Sequence, residues 1–278
     1  MKQVIISTVG VSMLTRNIKE KEKLGRLRSG TVDQYPEFTA LMNELMDELE
    51  QAALRYRSSP KLLGAELNSL DRIGVNKGDQ LYFLTTHTLD GMLVGEALKK
   101  IVTRFWEVDA YYETVEGLQV QNADAFCYLG LPQLVNKVTA ILEKHPADQY
   151  RRIFNTTGGF KAVSFYMTIL GMLEGVTVKY LFENSDHIIE MPAAPVYFNI
   201  ESFYRLGRVI EKMLNGAIHE SELIWLTGRS RQQLKGEFSD ILVWQPDGTV
   251  TLSALARIIY IRLVWNNPGK FIINFPKK

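Results

Sequence analysis

Cysteine occurs once in 278 residues, so an internal disulfide is excluded and nothing points to an oxidised compartment. That residue, Cys127, stands among apolar neighbours in "DAFCYLG" and reads as a buried, inert thiol rather than a nucleophile. Histidine is nearly as scarce, with four in the chain, and no His/Cys/carboxylate spacing marks a metal site. Charge of one sign is lacking too: 32 Lys and Arg balance 31 Asp and Glu, so no general field draws the chain to nucleic acid. No apolar run approaches the roughly 20 residues of a membrane span, and the one at the N-terminus is too short for a signal peptide. These absences point to a cytoplasmic protein with no membrane partner.

What is present is ordinary in bulk and patterned in detail. With 46% hydrophobic residues, the chain has enough apolar surface for one large domain or two modest ones. Residues 3–9, 79–88, 107–115, 150–155 and 176–184 read as short buried strands. Helical spacing of apolar residues falls between them, at 36–57, near 60–70, and at 91–105, 132–144 and 162–173. The alternation predicts an α/β fold, a Rossmann-like, mostly parallel sheet covered on both faces. The charged stretch 16–30, "RNIKEKEKLGRLRSG", reads as a loop or a short solvated helix, with Arg16 and Asn17 nearest to any ligand at the sheet edge.

The two prolines of "MPAAPVYFN" (191–199) mark a boundary, dividing the chain into residues 1–198 and 199–278. Beyond it, helices are expected at about 200–215, 220–226 and 229–236. A hairpin follows within "DILVWQPDGTVTLS", with Asp240 on its first strand, and then an apolar helix, Ala254–Trp265. This order predicts a small winged-helix-like α+β unit.

In sheets of this kind ligands bind beyond the carboxyl ends of the strands. Three polar tips are expected there: Ser7, Thr8 and Gly10 with Ser12; Thr85, Thr86 and His87; and Asn155, Thr156, Thr157, Gly158 and Gly159. The last lies in "NTTGGFK", which is neither a Walker A loop nor GxGxxG. Its glycines suit two readings. One is a tight strand-to-helix turn; the other is an anion cradle at a helix N-terminus, with Lys161 as a point charge. His87 fits a general acid–base group or a simple loop histidine, and His145, His187 and His219 read as loop residues.

Three segments, "ISTVGVSMLTRN" (6–17), "NTTGGFKA" (155–162) and "YLFENSDHIIEMPAAP" (180–195), resemble in sequence and order the CRISPR-associated Rossmann-fold (CARF) domains. The resemblance covers residues 1 to about 200 and is, more narrowly, to the ring nuclease branch, which holds the standalone ring nucleases and some CARF-headed ribonucleases. It implies a homodimer with one cleft for a cyclic oligoadenylate of four or six units. Some members of the family only sense the ring; others also cut it, and the residues here are consistent with cleavage by attack of a ribose 2′-OH on the adjacent phosphate, without metal or other cofactor. Ser12 and Lys161 match that branch's catalytic Ser and Lys, Ser12 orienting the 2′-OH and Lys161 stabilising charge or protonating the leaving 5′-oxygen. The remaining residues of the three tips are implied to bind the ring.

The tail lacks the effector signatures that often follow such domains. No Arg stands four to six residues before any His, and no Glu-x-Lys follows Asp240. Arg229, Arg231 and Lys235 with Gln232 and Gln233 form a modestly basic segment, leaving DNA binding as a less favoured use of the tail. The leading expectation is therefore a ring nuclease that ends a CRISPR antiviral signal. The alternatives are a non-enzymatic sensor that binds the ring and then DNA, and a generic nucleotide-binding α/β protein.

Overall fold

The computed structural model describes residues 1–28, 30–119, 122–182, 185–192, 200–207 and 209–265. Six strands form the main sheet: β1 (Lys2–Thr8), β2 (Gln80–Thr86), β3 (Asp109–Val115), β4 (Tyr150–Asn155), β5 (Thr177–Leu181) and β6 (Ile188–Met191). Their order is β3-β2-β1-β4-β5-β6, with every pairing parallel except that of β5 with β6. The chain winds outward from β1 to β3 on one side, then returns to β4 on the other. The switch point therefore lies between β1 and β4, whose register pairs Ser7 with Asn155. The expected strands are present; β6 was not anticipated, because four half-exposed residues give little periodicity.

Both faces of the sheet are covered. On one, Ile5, Leu81, Phe83 and Ile153 pack with apolar residues of the helices Tyr35–Arg55, Ala65–Ile73 and Leu89–Trp106. On the other, Val4, Ile6, Leu84 and Phe154 meet the helices Leu131–Lys144 and Lys161–Glu174. Alternate residues of β1 thus serve opposite cores, as the strand period of two requires. The stretch 16–30 resolves into the end of the helix Ser12–Asn17 and a second helix, Lys21–Arg28, anchored by the fully buried Leu27.

The continuous helical run Ala123–Lys144 corrects one expectation: by length and composition it is apolar enough to cross a membrane. Its apolar side instead packs on the sheet through Leu131, Leu134, Val135, Val138 and Ile141.

After residue 200 come the helices Glu201–Leu206, Val209–Leu214, Glu220–Thr227 and Arg231–Glu237. A three-stranded sheet joins them: β7 (Ile218–His219), β8 (Leu242–Trp244) and β9 (Thr249–Leu252), in the order β7-β9-β8. The expected hairpin is β8–β9; Asp240 lies in the turn before it and not on the strand. This part has its own core around Phe203, Ile210, Leu223, Phe238 and Val250. The expected boundary segment 191–199 falls, from residue 193, outside the described residues.

Candidate functional site at the switch point

Two glycine-bearing loops meet where β1 and β4 end. A Cβ added to Gly10 would lie 2.9 Å from the Gly159 nitrogen, so the two backbones touch. Gly159 has φ +90°, a conformation that glycine adopts without strain. Gly158 is confined more tightly still: a Cβ there would sit 2.3 Å from Glu66 Oε1 and 2.7 Å from the Thr8 carbonyl oxygen. The Thr8 hydroxyl donates to the Gly158 carbonyl at 2.5 Å, stitching the two loops together.

Glu66, in the first turn of Ala65–Ile73, lies directly beneath them and is wholly buried. Its Oε1 accepts the Gly10 N–H at 2.8 Å, and its Oε2 accepts the Ser12 hydroxyl at 3.0 Å. Burial pushes its carboxyl pKa up. The Gly10 N–H, its own N–H, the Ser12 hydroxyl and the charge of Arg16 oppose that rise. Ser12 Oγ also accepts the Ala65 N–H at 3.1 Å, so the half-buried hydroxyl is held on two sides.

Lys161 is exposed and is the first residue of Lys161–Glu174. The N-cap residue Phe160 makes no side-chain cap; its carbonyl accepts the Val163 N–H at 3.0 Å, and Gly158–Gly159–Phe160 leads into the N–H groups that precede it.

The other predicted residues divide into surface and framework. Gly10, Thr86 and Gly159 line a cleft of about 320 Å³ with Arg28, Thr88, Asp90, Gln119 and Phe160. Thr157 lines a second, more polar cleft of about 700 Å³ toward β5, with Arg16, Ala65, Asn68, Tyr180 and Phe182. His87 is half-buried beside the first cleft, its N–H donating to the Leu118 carbonyl at 3.2 Å.

Ser7, Thr8, Thr85, Asn155 and Thr156 are instead buried. Asn155 donates to Ser7 Oγ at 3.2 Å and Ser69 Oγ at 2.8 Å, while its oxygen accepts the Thr157 hydroxyl at 2.8 Å. The Thr156 carbonyl accepts the Ser164 hydroxyl at 3.0 Å, and Thr85 faces the Glu113 carbonyl. These five residues are buried framework of the loops: both faces of the sheet are covered, so even the adjacent Ser7 and Thr8, which alternation sends to opposite faces, lie inside the fold.

Sequence reasoning missed Glu66, Arg28, Asn68 and Asp90. Glu66 carried only the ordinary signal of an acidic residue in a helix's first turn. Asn17 also has a structural task, donating to the Met13 and Leu63 carbonyls at 2.7 and 2.8 Å. His145 is corrected from loop residue to buried ring, with Nε2 2.9 Å from the Tyr82 hydroxyl; desolvation, then Lys144, lowers its pKa. Cys127 is only half-buried, and its thiol pKa is raised by desolvation. The carboxylates of Glu20, Glu44 and Glu48 converge on the surface, where the Lys23 ammonium contacts Glu20 and Glu44 at 2.6 Å each.

In the tail, Arg231 and Lys235 flank the Trp244 ring at 5.3 and 5.2 Å, and Gln233 closes a capping box with Ser230. The Gln233 side-chain oxygen accepts the Ser230 N–H at 2.8 Å, within its own helix.

Residues 61–194, just under half of the chain, match a family model described as CRISPR-associated protein (Cas_APE2256). Glu66, the Asn155–Gly159 loop and Lys161 lie within the matched stretch, while β1 and Ser12 precede it. Among solved structures the chain is similar to Enterococcus italicus Csm6 bound to cyclic hexa-2′-fluoro-hexa-dAMP, with 8% identity and a TM-score of 0.37. The similarity covers 85% of this chain and 51% of that one, so the chain spans about half the length of that relative.

Proposed function

We propose that this chain is a CARF-type ring nuclease, a homodimer that binds a cyclic oligoadenylate at the carboxyl edge of its main sheet and cleaves it without a metal. The observation that carries the reading is the junction of the two glycine loops. It combines exposed backbone at a helix N-terminus, a lysine at that helix's first residue and a serine hydroxyl at the first residue of the helix Ser12–Asn17, which follows the Gly10 loop, in a chain whose middle matches a CRISPR-associated family.

Each part has a task in the chemistry. A cyclic RNA presents a phosphate with a 2′-OH on the neighbouring ribose, so the nucleophile is already tethered, and alignment supplies much of the rate. The N–H groups at the start of Lys161–Glu174 suit the phosphate oxygens. Ser12 holds the 2′-OH in line, and Lys161 meets the charge that develops on the phosphorane and the 5′-oxygen. In this reading residues 1–198 bind and cut the ring, and residues 199–278 brace the molecule. A sensor that reads DNA through its tail is the rival; the modest count of three basic side chains in its segment, Arg229, Arg231 and Lys235, favours the bracing role.

The test is incubation with cyclic tetra-adenylate and cyclic hexa-adenylate in excess EDTA, followed by chromatography of the products. The expected result is linear fragments, with Lys161→Ala slower by at least about tenfold, as for loss of a transition-state contact. Rings that stay intact while co-eluting with the protein would replace the nuclease by the sensor. Failure to bind either ring would remove cyclic oligoadenylate altogether.

A further inference from the structure

Resting on the ring nuclease reading, we propose that Glu66 is the proton acceptor for the attacking 2′-OH, acting as a positioning residue through Ser12. A serine hydroxyl has one proton to donate and two lone pairs. The proton of Ser12 is given to Glu66 Oε2 at 3.0 Å, and one lone pair accepts the Ala65 N–H at 3.1 Å. Only the second lone pair is left for a ligand. Ser12 therefore meets a ribose 2′-OH as an acceptor, and anything it takes up must be passed on to the carboxylate behind it.

The step balances without any further reactant. The 2′-OH proton moves to Ser12 Oγ while the Ser12 proton moves to Glu66 Oε2. The 2′-oxygen bonds to phosphorus, the bond from phosphorus to the 5′-oxygen breaks, and the 5′-oxygen takes a proton from the Lys161 ammonium. The products are a 2′,3′-cyclic phosphate and a 5′-hydroxyl. Glu66 then returns its proton to water by way of Ser12, and Lys161 regains one.

The surroundings of Glu66 suit this role better than simple loop bracing. Its Oε1 is pinned by the Gly10 N–H, and the absence of a side chain at Gly158 leaves just enough room for the carboxylate. The charge of Arg16, on Ser12–Asn17, favours the ionised carboxyl, and the backbone at Gly64, Gly10 and Gly158 runs so close that a Cβ at any of them would come within 3.5 Å of a carboxylate oxygen. Burial raises its pKa and makes it a stronger base than a surface carboxylate. Protonating Glu66 would turn the contact around: the acid would donate to Ser12, whose own proton would then point outward as a donor. The geometry thus ties activity to the ionised form.

The decisive experiment compares the intact wild type with Glu66→Gln, Ser12→Ala and the double variant, following ring cleavage across pH in EDTA. Circular dichroism checks folding, and affinity is measured separately with an uncleavable 2′-deoxy ring. Wild type should lose rate as pH falls through the raised Glu66 pKa. Glu66→Gln should be about a hundredfold slower at neutral pH, should lack that acid limb, and should bind the deoxy ring as wild type does. Ser12→Ala should lose the same limb, and the double variant should be no slower than the slower single one, since both changes break one relay. An unaltered acid limb in folded Glu66→Gln overturns the relay and leaves the ring nuclease intact; if that variant does not fold, a persisting limb in Ser12→Ala does the same. Absence of cleavage by the wild type overturns both readings.

Discussion

Burying a carboxylate beneath two glycine loops makes stability at Glu66 depend on pH, whatever its role in turnover. Desolvation raises the folded-state pKa above the ordinary value, despite the Gly10 and Ser12 hydrogen bonds. Below the unfolded pKa both states hold the proton and the group imposes no penalty. As pH rises through the window up to the folded pKa, the unfolded chain releases its proton first, and stability is lost. Urea unfolding of wild type and Glu66→Gln at stepped pH should show wild type gaining on the variant as pH falls through that window. A gain in the opposite direction would mean that the hydrogen bonds outweigh desolvation. None of this was legible in the sequence, because Glu66 and Ser12 stand 54 positions apart and only the fold joins them. The tips themselves were legible, since a polar residue ending an apolar strand marks a sheet edge. Which tip residues turn inward was not, because a buried Asn155 and an exposed one look alike in the chain.

Elements were read more easily than their connections. Apolar periodicity foretold five strands of the main sheet and the principal helices, but not how the tail is fastened to them. That depends on Arg257, which is 0% exposed in the helix Ala254–Ile259. Its guanidinium donates to the Leu214 carbonyl and, at 2.8 Å, to that of Met213, the last carbonyls of Val209–Leu214. It also lies 4.6 Å from the centre of the Tyr128 ring, on the helical run that covers the main sheet. One side chain therefore serves as helix cap, dipole partner and bridge between two layers. Arg257→Leu keeps the packing volume but leaves two carbonyls unpaired, and should cost about 3 kcal/mol in chemical denaturation. A loss under about 1 kcal/mol would show that the carbonyls find other partners. In a sequence, an arginine in "ALARIIY" reads as a solvated break in an apolar helix, and burial is the one feature that reverses that reading.

At the scale of the whole molecule, the same C-terminal helix couples two cores. Ile258 packs with Phe154, Leu170 and Val138 on the main sheet's second face, while Ile259 and Tyr260 pack with Phe203 and Val250 in the tail. Consecutive residues of one helix thus enter different cores, and Arg262 adds a paired contact to the half-buried end of Lys161–Glu174 at Glu174. A helix shared in this way transmits loss of either core to the other, because it cannot keep its backbone while half its partners are gone. The intact chain should therefore unfold in a single calorimetric transition. Ile258→Ala, which empties a fully buried site, should lower that transition by the equivalent of about 2–4 kcal/mol without splitting it. Two resolved transitions in the wild type would mean that the tail folds independently of the sheet. Then the Lys161–Glu174 helix, whose first residue is Lys161, would owe the tail nothing. A single transition would instead connect the stability of the tail to the helix that carries the proposed catalytic lysine. Tail variants such as Ile258→Ala would then weaken ring cleavage on warming well before the loops at the switch point were touched.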